Sequence, residues 1–108
     1  MEKIKFPWGE LIIVGKTDKV SIGIDIIVPG AETDKEEAYL KKGIAIYYVL
    51  AGKALCGNKS IKKGDLLKIK PGQKINLKNN TKGILQVMTI YLPPYNEANI
   101  GYKKRLKK

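Results

Sequence analysis

Apolar and polar residues alternate along this chain in short runs, broken by Gly, Pro or Asn at intervals of roughly 8–12 residues, which is the signature of an all-β fold. Leu11 to Val14 is an apolar run closed by Gly15. Val20 to Val28 alternates, with Val20, Ile22, Ile24 and Ile26 on one face and Ser21, Gly23 and Asp25 on the other, until Pro29-Gly30 ends it. Ile44 to Leu50 is apolar on both faces, as suits a central strand or a subunit contact. Gly57-Asn58 predicts a tight hairpin between Lys53–Cys56 and Lys59–Ile61. Past the turn at Lys62 to Asp65, Lys74 to Asn79 alternates, predicting Ile75 and Leu77 inward and Lys74, Asn76 and Lys78 outward. Ile84 to Leu92 is the last long strand, and Pro93-Pro94, which cannot donate to a ladder, stops it. Only Thr33 to Lys42, with Asp34 as cap, has helical character. The expected architecture is a closed barrel or sandwich spanning 1–100, with a basic tail over 101–108.

Composition narrows the roles more than the fold. At 108 residues and 12.0 kDa the chain supports one domain with one core. Its longest apolar run is far too short to cross a bilayer, and no signal peptide is evident, so a cytoplasmic location is expected. The single cysteine, Cys56, excludes an intramolecular disulfide and reads as a small core residue. The charge is lopsided: residues 1–52 carry −1 and residues 53–108 carry +12. Of the 21 basic residues only Arg105 is arginine, so the chain lacks the planar forks that read bases or grip phosphate. Most of these lysines read as solvated surface charge, and any nucleic-acid binding is expected to be nonspecific.

The stretch Gly64-Asp-Leu-Leu-Lys-Ile-Lys-Pro71-Gly72-Gln-Lys-Ile75-Asn-Leu-Lys-Asn79 resembles the second sequence motif of the cupin family, with Gly64, Gly72 and Asn79 at the family spacing. Val28-Pro-Gly-Ala-Glu-Thr33 and Tyr47-Tyr-Val-Leu-Ala-Gly52 are similar to the strands flanking the first motif. The resemblance covers roughly residues 10–95 and implies an all-β, cupin-type conical β-barrel (a double-stranded β-helix or jelly roll), often dimeric. In that family three histidines and one carboxylate hold a divalent metal. Here the matched positions are Glu36, Ala38, Ala45 and Ile75, and the chain has no histidine at all. No metal and no cofactor are therefore expected.

Without histidine, a Ser–His or Cys–His nucleophile is impossible. Acid–base chemistry would fall to a shifted carboxylate, tyrosine or lysine, for example Glu36, Tyr47 or Lys74. Candidate ligand-binding residues are Glu36, Tyr47, Ile75, Gln86 and Met88, with Tyr47 and Gln86 as the polar groups expected inside the barrel. Alternation leaves open whether Gln86 and Met88 or Val87 and Thr89 point inward. Trp8, in Phe6-Pro-Trp8-Gly9, reads as a core or dimer-contact aromatic. Three roles remain: a noncatalytic module that binds a small molecule or assembles with a partner, a metal-independent enzyme on a sugar or sugar phosphate, and a binder of nucleic acid or another acidic polymer. A homodimer is expected, with a small-molecule or anionic ligand in the barrel.

Overall fold

The computed structural model describes residues 1–34 and 36–104, and the regular elements among them are eleven strands and one short 3₁₀ turn at Glu97–Asn99. The strands are β1 (Glu2–Phe6), β2 (Gly9–Lys16), β3 (Ser21–Ile27), β4 (Glu37–Leu40), β5 (Ile44–Ala51), β6 (Lys53–Cys56), β7 (Lys59–Lys62), β8 (Leu66–Ile69), β9 (Leu77–Lys78), β10 (Leu85–Leu92) and β11 (Ile100–Lys103). Six of them form an antiparallel sheet in the order β1-β2-β3-β10-β5-β8. Opposite it lie the two-stranded sheet β11-β4 and the three-stranded sheet β7-β6-β9, linked by an isolated bridge between Tyr39 of β4 and Lys74, which precedes β9. One apolar core draws on both layers, from Ile27, Val49 and Leu85 on one side to Leu40, Cys56 and Leu77 on the other.

Turn chemistry fixes this course. Gly72 takes φ +91°, a left-handed value that strains any residue with a Cβ, and its N–H bonds the Leu40 carbonyl at 2.7 Å. At Gly52 (φ +88°) an added Cβ would also stand 2.8 Å from the Ile84 carbonyl oxygen. Asn79 is fully buried and satisfied on every side. Its amide donates to the carbonyls of Ile27 (3.0 Å) and Gly83 (2.8 Å), and its Oδ1 accepts from the Thr81 N–H (3.1 Å) and hydroxyl (2.7 Å). The last motif residue thus ties the loop before β10 to β3.

Three expectations are corrected. Thr33 to Lys42 does not form a helix over its described residues. Glu37–Leu40 is strand β4, with Ala38 and Leu40 buried and its backbone paired with β11. So short a helix is marginal alone, and cross-strand pairing offers the same residues a buried face. The break at residue 100 also moves: Gly101 to Lys103 belong to β11, because Ile100 and Gly101 pack inward against β4, while 105–108 lie outside the described residues. Finally, Asn76 is buried, between Ile75 and Leu77 which are buried as well. Its side chain serves the backbone of the neighbouring strand, accepting from Ala38 N–H at 2.7 Å and donating to the Glu36 carbonyl at 2.9 Å.

Candidate functional site

On β3 the residues that face the interior are the polar and small ones. Ser21, Gly23 and Asp25 line a cavity, and Ile27 continues their face into the core, whereas Ile22, Ile24 and Ile26 alternate onto the half-buried opposite face, Ile22 also bordering the cavity. The register with β10 sets Tyr91 beside Ser21, Thr89 beside Gly23, Val87 beside Asp25 and Leu85 beside Ile27. The inner face of both strands therefore grades from polar at one end to apolar at the other. The polar end borders a cavity of about 380 Å³, within the range of small-molecule sites.

The cavity is walled by hydrocarbon and aromatic groups with a few convergent polar ones. Leu11, Ile13 and Ile75 supply aliphatic surface. Trp8 stacks on Phe6 with centroids 4.8 Å apart, and both rings line the space. Deeper in, the Tyr47 and Tyr91 hydroxyls are 2.6 Å apart, and Tyr47 donates to the Ile75 carbonyl at 3.2 Å. Each hydroxyl proton has an acceptor when Tyr91 donates to Tyr47. Burial pushes both phenols well above their ordinary range, so they remain donors and not bases at neutral pH. Tyr95 packs edge-on against Tyr91, and its hydroxyl and that of Tyr102 hold the two oxygens of Glu97 at 3.1 and 3.2 Å.

Asp25 is the exceptional group. Burial first, and then the neighbouring charge of Asp34, raises its carboxyl from 3.8 to about 7. The residue keeps some accessible surface because the carboxyl fronts the cavity, while protein surrounds it elsewhere. No described residue donates a hydrogen bond to it. A carboxyl so placed gains or loses a proton near neutrality, whereas the two phenols do not.

Of the expected site residues, Tyr47 and Ile75 line this cavity. Gln86 and Met88 do not: they sit on the opposite face of β10, half-buried, where alternation puts them once Val87 and Thr89 point inward. Glu36 is exposed just before β4, and Lys74 pairs with Glu37 at 3.1 Å away from the cavity. Asp25, Tyr91 and Tyr95 were not among the expected residues. The signal for Asp25 was present, as a lone acid on the small-residue face of a strand rich in isoleucine.

The four positions that hold metal in the resembling family do not fit one here. Ala38, Ala45 and Ile75 are buried and carry no donor atom, and Glu36 is exposed. Among the described residues no group of three His, Cys, Asp or Glu side chains could hold an ion. The lining also differs from that expected for an anion, with Asp25, Asp34 and Glu97 against Lys16. Cys56 is buried, with its thiol pushed up to about 12 chiefly by burial, and behaves as a core residue.

Solved structures carry the same architecture. The chain is similar over 86% of its length, and 82% of the other's, to an uncharacterized conserved protein with a double-stranded β-helix domain from Klebsiella pneumoniae, at 21% identity and a TM-score of 0.70. It is similar over 98% of its length to Streptomyces Pac13 solved with uridine, at 16% identity and TM-score 0.73, covering 87% of that chain. Pac13 is described as a unique nucleoside dehydratase. A third likeness is to CapF, a capsular polysaccharide assembling protein of Staphylococcus aureus, at 16% identity and TM-score 0.75; it takes in 96% of this chain but only 34% of CapF. No protein-family model and no curated protein matches the chain. The fold is thus the cupin-type double-stranded β-helix.

Proposed function

We propose that this chain is a metal-free, small-molecule-binding β-barrel whose ligand occupies the cavity between Trp8, Asp25 and Tyr91. The observation that carries the reading is the cavity itself. It lies where the fold's polar inner face ends, and it is fronted by a carboxyl that no described residue satisfies. Pac13, a protein of the same fold, has been solved with uridine, which agrees with a ligand of this size. Trp8, the sole tryptophan, reports on occupancy by its fluorescence. A saturable change with a nucleoside, sugar or amine, lost in Gly23→Val, is the expected result, because a Cβ at Gly23 already meets Leu11 Cδ1 at 2.9 Å and Thr89 Oγ1 at 3.5 Å. A flat response to all three classes overturns the reading.

A second reading, a proton-transfer enzyme on a sugar or nucleoside, draws on Asp25, whose carboxyl titrates near neutral pH beside two fixed phenol donors. Exchange of solvent deuterium into a bound sugar, abolished in Asp25→Asn, is its signature. Absence of exchange with any ligand that binds leaves only the binding module.

The assembly we propose is a homodimer through the outer face of the six-stranded sheet. Pairing registers there align Ile12, Ile24, Met88, Tyr48 and Leu66 across five strands, with Tyr48 38% and Leu66 68% exposed. A second copy would cover this row isologously. Light scattering should give twice the 12.0 kDa chain mass; a monomer at micromolar concentration rejects it.

A further inference from the structure

The charge of the cavity runs against the charge of the molecule. The chain carries a formal +11, yet among the described residues the ionisable groups lining this space, phenols aside, are Asp25, Asp34, Glu97 and Lys16. Six of its eight aromatic residues line the same space: Phe6, Trp8, Tyr47, Tyr91, Tyr95 and Tyr102. Aromatic faces are electron-rich and attract cations, most strongly where water is scarce. Glu97 is fixed as an acceptor by two tyrosine hydroxyls, and the Asp25 carboxyl meets no donor from the described residues. Bulk lysines do not cancel this local field, since exposed charges are screened beyond roughly 8 Å at physiological salt.

We infer that the cavity selects an amine or quaternary ammonium ligand, with aromatic rings around the cationic end and Asp25 as its counter-charge. The inference rests on the small-molecule reading above and names the ligand class. A neutral sugar gives no return for ionising Asp25, whose carboxyl then keeps its proton to about 7, and an anion would meet the like charge of the ionised form. The ligand's charge favours ionised Asp25, so binding releases a proton. Facing Asp25 are the like charge of Asp34 and the Tyr47 and Tyr91 phenols, which stay protonated; Lys16 lines the same cavity. Affinity for a cation therefore climbs as pH rises through about 7.

Choline and its uncharged isostere 3,3-dimethylbutan-1-ol, titrated against Trp8 fluorescence in the intact chain, test this directly. Choline should bind about tenfold more tightly than the isostere at pH 8. Its affinity should drop about tenfold at pH 5.5, while the isostere's stays level. Asp25→Asn should remove the pH dependence. Tyr95→Leu, an independent variant that keeps the carboxyl, should weaken choline several-fold more than the isostere. Equal affinity for the two compounds, or choline binding that is the same at both pH values, overturns the inference. A response to 3,3-dimethylbutan-1-ol or uridine with choline inert overturns the cation preference and leaves the small-molecule cavity standing. No Trp8 response to any of the three, nor to a sugar, overturns both.

Discussion

The two ends of the space between the sheets are built from the same strands and do opposite things. At one end Ile27, Val49, Leu77, Leu85 and Val87 are almost wholly buried and Asn79, a fully buried polar side chain, has all its bonds made. At the other end, four to six residues from Ile27 on β3 and two to six from Leu85 and Val87 on β10, stand Ser21, Gly23, Thr89 and Tyr91 around open volume. The first set belongs to the packed core, and the second borders the cavity proposed to bind. A strand that passes through both lets each be altered with little effect on the other, provided the sites do not touch.

The largest expected effect is at Asp25, where the open end costs stability. Unfolded, its carboxyl ionises near 3.8; folded, it keeps the proton to about 7. The folded state thus binds the extra proton between these values, and stability falls as pH rises from 4 to 7, by about 4 kcal/mol at most. Urea melts should show Asp25→Asn more stable than the parent at pH 8 and equal to it below pH 4. A gain that is the same at both pH values contradicts the assignment.

Leu85→Ala at the filled end should cost about 3 kcal/mol through its cavity and lost burial, with ligand affinity at Trp8 unchanged. A Leu85 variant that loses binding without losing stability would erase the contrast between the two ends. Ile75→His lies at the boundary. An imidazole there finds no ligand side chain at Ala38 or Ala45, so it should cost roughly 1–3 kcal/mol and gain no stabilisation from added zinc. Tyr47→Phe removes the hydroxyl that joins Tyr91 to the Ile75 carbonyl. It should cost about 1 kcal/mol by urea denaturation. A neutral Tyr47→Phe would mean the phenol pair serves only the cavity.

Most of this fold was legible in the sequence because strand periodicity and turn glycines are local. The Gly57-Asn58 hairpin falls where the dipeptide placed it, between β6 and β7. Strand β4 was not legible, since its partner β11 lies some sixty residues away and nothing local outbids a weak helical pattern. Of the residues that line the cavity, the sequence offered Tyr47 and Ile75 as site candidates. Choosing a face on β3 or β10 requires knowing that both faces are covered or half-covered, and a period of two is blind to which is which. Hydrophobicity alone favours the isoleucine face of β3 as the inner one; the register with β10 reverses that choice and brings Asp25 inside.

The outermost strands give the abundant lysines a use unrelated to any ligand. Strands β1 and β8 end the large sheet and β7 and β11 end the opposite layer, and all four carry lysine: Lys3 and Lys5, Lys68, Lys59 and Lys62, and Lys103. An unpaired strand edge is a template onto which another chain can zip, and a row of ammonium groups makes that contact repulsive. These six of the chain's twenty lysines would fence the strand ends of a β-rich protein against polymerising edge to edge.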